Sequence, residues 1–142
     1  MLNYQSVVER IESFSNHSPN VTLQTVARIA ELPIFFLQVL PANLGQSMPK
    51  ILISAGIHGD EPAGVEAILT FLEQHLPPWR DQFHFDVFPC LNPFGFSHNL
   101  RENSDGIDIN RTFEDEPTVE ARAVQSVLEH SKYDLFIEFH ED

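Results

Sequence analysis

A chain of 142 residues, 42% of them hydrophobic and 12 of them phenylalanine, has the length and apolar content of one globular domain with a sizeable core. Eight basic against 21 acidic residues leave a formal charge of −13, which repels phosphate backbones and anionic bilayers, so neither nucleic acid nor a membrane surface is an expected partner. No apolar stretch approaches the roughly 20 residues of a membrane span, and the one cysteine, Cys90, excludes an internal disulfide. The opening "MLNYQSVVERIESF" carries acids and no apolar signal core, which points to a cytoplasmic protein.

From Tyr4 to Phe14 the apolar residues Val7, Val8, Ile11 and Phe14 recur at helical spacing and "NHSPN" ends the pattern, predicting a short amphipathic helix. "VTLQTVARIA" and "IFFLQVL", separated by "ELP" and closed by the turn-rich "PANLGQSMP", predict a strand pair at a sheet edge. "KILISAG" is almost wholly apolar, the pattern of a strand covered on both faces. Val65, Ile68, Leu69 and Leu72 then mark a helix that ends near "HLPPW". "FHFDVFP" returns to strand and makes Cys90 a core thiol. From Cys90 to Glu116 no periodicity is sustained, which predicts a long loop, and loops of this length in compact domains tend to carry function. "EDEP" sets acids and a proline ahead of "TVEARAVQSVLEH", a helix start favoured by the dipole and by proline in the first turn. "DLFIEFH" predicts a last buried strand.

Strand and helix alternate through the second half, so the expected fold is α/β, with a largely parallel or mixed central sheet and helices on both faces. Ligands of such sheets bind at the carboxyl ends of strands. "KILISAG" and "DLFIEF" both run into a histidine at that end, so His58 and His140 are expected to meet above neighbouring strands.

In "ILISAGIHGDEPAG" His58 and Glu61 stand three residues apart. With seven histidines and 21 acids in the chain, one such pair is expected by chance, so the spacing alone proves nothing. Zinc takes imidazole nitrogen and carboxylate oxygen, and a catalytic site uses three protein ligands and leaves one position open. His58, Glu61 and His140 supply that set. Pro62 is a natural first helical residue, which puts the Glu61 carboxylate near a helix N-terminus that favours its ionised form. Gly56 and Gly59 bracket His58 and permit a sharp turn and a close backbone approach. The alternative is that Glu61 only caps the helix and the two histidines are satisfied polar residues at strand ends.

In the long loop, "NPFGFSHNLRENSDGIDINRTF" holds two of the chain's eight basic residues, Arg101 and Arg111. Arginine forks bind carboxylates in bidentate fashion, and an arginine beside a metal stabilises an oxyanion. Asp108 is a partner to hold one arginine and Asn110 an extra donor, with ordinary loop salt bridges as the competing explanation. His98 is the one other histidine in this loop.

Together the motifs resemble the zinc carboxypeptidase family, the carboxypeptidase A-like metallopeptidases. "HGDE" matches the family's H-x-x-E zinc pair, "NPFG" its N-P-x-G turn, "GIDINRTF" its G-[VI]-D-x-N-R-x-F segment and "FIEFH" the strand with the second zinc histidine, in the family's order. "LRENSDGIDINRTF" looks most like the bacterial murein-peptide amidase branch. The resemblance implies that His58, Glu61 and His140 bind zinc, that Arg101 stabilises the tetrahedral oxyanion, and that Asn110 and Arg111 hold the substrate's terminal carboxylate. It implies a zinc-dependent metallopeptidase or peptide amidase that cleaves an amide near a free carboxylate. The related succinylglutamate desuccinylase and aspartoacylase branch would act instead on N-acyl amino acids.

The family's general-base glutamate lies downstream of the second zinc histidine, and Glu141 and Asp142 do not match it. Residues 1–142 are therefore expected to be the N-terminal portion of a single catalytic domain that lacks the C-terminal strands, weakly active or inactive alone. A non-catalytic metal-binding or interaction domain is the remaining alternative, and an open sheet edge would allow a homodimer.

Overall fold

The computed structural model describes residues 3–43 and 47–141, which leaves part of the predicted turn "PANLGQSMP" and Asp142 outside the described residues. Five strands form one mixed sheet in the order β1-β2-β4-β3-β5. They are β1 (Val21–Ile29), β2 (Leu32–Val39), β3 (Lys50–Ala55), β4 (His84–Phe88) and β5 (Leu135–Phe139). The first two are an antiparallel hairpin whose second strand joins β4 antiparallel, while β4, β3 and β5 run parallel. The predicted strand pair thus sits at one edge, and the mixed α/β sheet is the one expected.

Helices cover both faces, and the alternation along β3 shows why its sequence is apolar throughout. Ile51, Ile53 and Ala55 join Phe85 and Val87 of β4 under α1 (Tyr4–His17) and α2 (Pro62–Thr70). Leu52 and Phe88 point the other way, with Ile34 and Phe36 of β2, against Ala121 and Val124 of α4 (Val119–Leu128). Each of the larger of these side chains contributes about 1.5–3 kcal/mol by leaving water. Helix α1 presents Tyr4, Val7, Val8 and Ile11 to the first core, as its spacing predicts, and Asn3 caps it by accepting from the Gln5 N–H at 3.0 Å. Cys90 is buried in the same core, and burial pushes its thiol up to about 12, so it is an inert packing group.

Two expectations are corrected. The segment from Cys90 to Glu116 is not structureless, because it holds a short helix α3 (Pro93–His98) and a single 3₁₀ turn at Ile109–Arg111. Six residues are too few for a period to show, although the Asn92 cap and Pro93 at the first helical position signal the start. The second correction concerns β5, expected to be buried. Leu135 and Phe136 are 50% and 55% exposed. Among the described residues β5 pairs only with β3. Apolar cavities of about 250 and 210 Å³ flank it, one bounded by Leu52, Phe88 and Phe136, the other by Ile53, Phe71 and Phe139. An apolar run reports that both faces call for cover, not that cover is present.

At the end of the sheet where β3 and β4 begin, Asp86 is fully buried among four partners. Gln38 Nε2 donates to its Oδ1 at 3.1 Å, and His84 Nε2 lies 2.8 Å from the same oxygen. Its Oδ2 takes Lys50 Nζ at 2.8 Å and the Tyr133 hydroxyl at 2.6 Å. Burial alone would raise the Asp86 pKa, but the bonds from His84, Lys50, Tyr133 and Gln38 outweigh it and bring it down to about 2. The carboxylate therefore joins β2, β4, β3 and the approach to β5 at one point.

Candidate functional site

Parallel pairing sets Ala55 of β3 beside Phe139 of β5, so the chain leaves both strands at the same end of the sheet. It leaves β3 through Gly56, whose φ of 65° lies in the left-handed region. Three residues on, Gly59 meets the backbone of α3 so closely that a Cβ would stand 1.9 Å from the Gly95 carbonyl carbon. Between them His58 is turned over the strand ends and buried. Pro62 opens α2 as predicted, yet Glu61 makes no side-chain bond to its own helix. The capping alternative for Glu61 is not what its carboxylate does.

That carboxylate lies between the two imidazoles instead. Glu61 Oε1 is 2.7 Å from His58 Nδ1 and Oε2 is 2.9 Å from His140 Nδ1, with the ring centres 5.1 Å apart. One donor atom from each of His58, Glu61 and His140 falls within 4.8 Å of the others. Burial would raise the Glu61 pKa, but hydrogen bonds from His58, the Glu141 amide and His140 prevail and hold it below the ordinary carboxylate range.

His58 faces carboxylates from both nitrogens, since Nε2 lies 3.2 Å from Asp108 Oδ1. A neutral imidazole carries one N–H and can donate to only one of them. With a cation taking the Nδ1 lone pair and the Nε2 proton donated to Asp108, every group is satisfied, the arrangement usual for metal-ligating histidines. The donor set thus fits a divalent metal, and its two nitrogens and one carboxylate match zinc.

Arg101 was expected to be held by an acid, and Asp108 holds it. Arg101 Nε and Nη2 donate to Asp108 Oδ2 at 3.2 and 3.1 Å, and Nη1 stands 3.8 Å from Glu61 Oε1. For Asp108, burial raises the pKa and the bonds from Arg101 and His58 more than compensate, so it stays ionised. Asn110 is half-buried and lines the larger cavity beside β5 together with Ser54 and Glu138. The Arg111 side chain is exposed and, among the described residues, forms no ion pair. His98 packs on Phe94 and bonds back to the Phe94 carbonyl oxygen at 2.8 Å, so it turns into its own helix.

Two roles escaped the sequence reading. Asp108 orients His58 as well as the arginine, which only the folded loop reveals. Asn92, the first residue of "NPFG", is fully buried and donates from Nδ2 to the carbonyl oxygens of Arg101 and Glu102, while its backbone N–H reaches the Gly56 carbonyl at 2.8 Å. It ties the arginine loop to the His58 turn, and the motif flagged the segment without disclosing the task.

Residues 47–141 match the succinylglutamate desuccinylase/aspartoacylase catalytic domain. The chain belongs to that family. The family's segment contains all three donors, Arg101 and the Asn110–Arg111 pair. Murein peptide amidase A of Escherichia coli is 40% identical over 62 residues, 44% of this chain and 24% of that protein. Carboxypeptidase SOL1 of Arabidopsis thaliana is 30% identical over 80 residues, 50% of this chain and 16% of that protein. A candidate metallopeptidase of Shewanella amazonensis, known as a crystal structure, superposes with a TM-score of 0.87 at 25% identity over 99% of this chain and 56% of its own. The chain therefore spans little more than half of that structure and a quarter or less of the two curated relatives. Metallopeptidase relatives imply a metal, and among the described residues no helix is long and apolar enough to cross a membrane.

Proposed function

We propose that this family member carries the site of a zinc-dependent hydrolase that cleaves an amide bond near a free carboxylate, in a peptide or an N-acyl amino acid. The convergence of His58, Glu61 and His140, with Asp108 on the far nitrogen of His58, is the observation that carries it. Those three residues hold the ion. When bound, zinc supplies Lewis acidity to the scissile carbonyl and acidifies a water molecule. Arg101, aligned by Asp108 and open on its outer side, presents its guanidinium to the charge that develops on the carbonyl oxygen. Asn110 and Arg111 take the substrate carboxylate, supported by an exposed Arg111 fork that has no acidic partner among the described residues.

The sequence relatives carry peptidase and peptide-amidase names, while the family is that of acyl amino acid hydrolases, so the substrate test compares the two. Zinc-loaded protein is titrated by calorimetry with a free-acid peptide, its C-terminal amide and an N-acyl amino acid, and amine release is followed in parallel. The free acid should bind about 10-fold or more tighter than the amide, as expected of a charge-assisted bond, with the preference lost in Arg111→Ala and the affinity for all three compounds lowered under chelation. Equal binding of acid and amide, or binding indifferent to chelator, overturns the reading.

Two further parts of the proposal concern setting and assembly. A cytoplasmic location is supported by a single cysteine that is buried and unpaired. Pairing of two copies through β5 is supported by its exposed apolar residues and by β3 being its one partner strand among the described residues. Light scattering across a concentration series should report a dimer, and a strict monomer would sink this part.

A further inference from the structure

Glu141 follows His140, and its side chain has no part in the roles given above. Its backbone N–H donates to Glu61 Oε2 at 3.1 Å, and its carboxylate accepts from the Ala63 N–H in the first turn of α2. One residue thus grips the Glu61 carboxylate directly and also the helix that begins immediately after Glu61. The first N–H groups of a helix have no partner inside it, and a carboxylate there is favoured by the dipole as well. Glu61 makes no side-chain cap bond to α2, so the carboxylate that caps the helix comes from just beyond β5, far along the chain. The approach is close elsewhere too, since a Cβ on Gly64 of α2 would lie 2.8 Å from the Phe139 Cβ.

We propose that Glu141 is a positioning residue for the metal site: by fastening the end of β5 to the start of α2 it fixes Glu61 and His140 at the separation that a shared ion needs. This rests on the reading of His58, Glu61 and His140 as ligands. Glu141 Oε1 is committed to the Ala63 amide and the residue is outside the group of converging donors, so it acts through Glu61 rather than as a ligand. Without the Glu141 side chain, β5 is a strand paired on one side only, held to α2 at this end by the His140–Glu61 contact, the Glu141 backbone bond to Glu61 and the packing of Phe139.

The test compares Glu141→Ala with Glu141→Gln, which leave the backbone donation to Glu61 untouched, and includes His58→Ala as a control. Zinc affinity is measured by chelator competition, the cobalt-loaded protein by its visible absorption, and the metal-free fold by circular dichroism. Glu141→Ala should weaken zinc about 10-fold or more, the cost typical of losing an outer partner of a ligand, and alter the cobalt spectrum. Glu141→Gln, whose amide oxygen can still accept from Ala63, should recover most of the affinity and the parent spectrum. An alanine variant with unchanged affinity and spectrum overturns the inference, as does a glutamine variant as impaired as alanine. If His58→Ala loses zinc while Glu141→Ala keeps it, the positioning role alone has failed; if His58→Ala also keeps it, the ligand reading has failed and takes this inference with it.

Discussion

His140→Ala is expected to leave the protein folded and to reduce its zinc content to background. The ring is exposed, so truncation opens no cavity, and it offers one of three donor atoms within 4.8 Å of one another. Removing one of three ligands should cost more than the roughly 10–100-fold that follows loss of an outer-shell partner. His58→Ala should do the same at a higher structural cost, because that side chain is buried and its loss leaves Asp108 without a ring to hold. Atomic emission on dialysed protein, with chelator competition for affinity, gives the answer. Metal content unchanged in both variants would mean that the site has been misassigned.

The second large effect lies at the opposite end of the sheet. Asp86→Ala removes the acceptor shared by Gln38, His84, Lys50 and Tyr133. Breaking a buried ion pair by deleting one member costs about 3–5 kcal/mol. The lower end applies because the Lys50 side chain is 20% exposed and reaches water. About 3 kcal/mol corresponds to a fall of roughly 10 °C in Tm for a domain of this size. The same carboxylate sets an acid limit. With its pKa lowered from 3.8 in the unfolded chain to about 2 in the folded one, its contribution is complete above pH 4 and is lost as the pH falls towards 2. The loss amounts to about 2 kcal/mol at 1.36 kcal/mol per pH unit. Urea midpoints taken from pH 5 to 2 should fall more steeply for the parent than for Asp86→Ala, and parallel curves would remove Asp86 from the account.

What the sequence disclosed depended on how local the cause was. The period of α1, the apolar run of β3 and the Glu61–Pro62 helix start are each written within a few residues, and each stands where it was expected. The meeting of His58 and His140 was also legible, since two strands ending in histidine become neighbours once the sheet is parallel. Less visible were contacts that rely on distant segments. Lys50 and Asp86 gave no sign of each other, because nothing in either segment records which strands pair. Glu141 read as a carboxylate without a counterpart until α2 and β5 were placed side by side. The exposure of β5 was unreadable for a related reason: composition states a preference, whereas burial depends on whether another element arrives.

The site also has an order of assembly built into it. His58 and Glu61 lie in the turn between β3 and α2, whereas His140 enters with the last strand in sheet order, 79 residues after Glu61. Closing so long a loop is a slow, nonlocal event compared with forming α2. The first two donors are therefore expected to take their places before the third, and an ion that binds only the complete trio would select the state in which β5 has docked. Occupancy would then act as a clasp on the edge strand, and its release as the first step of fraying.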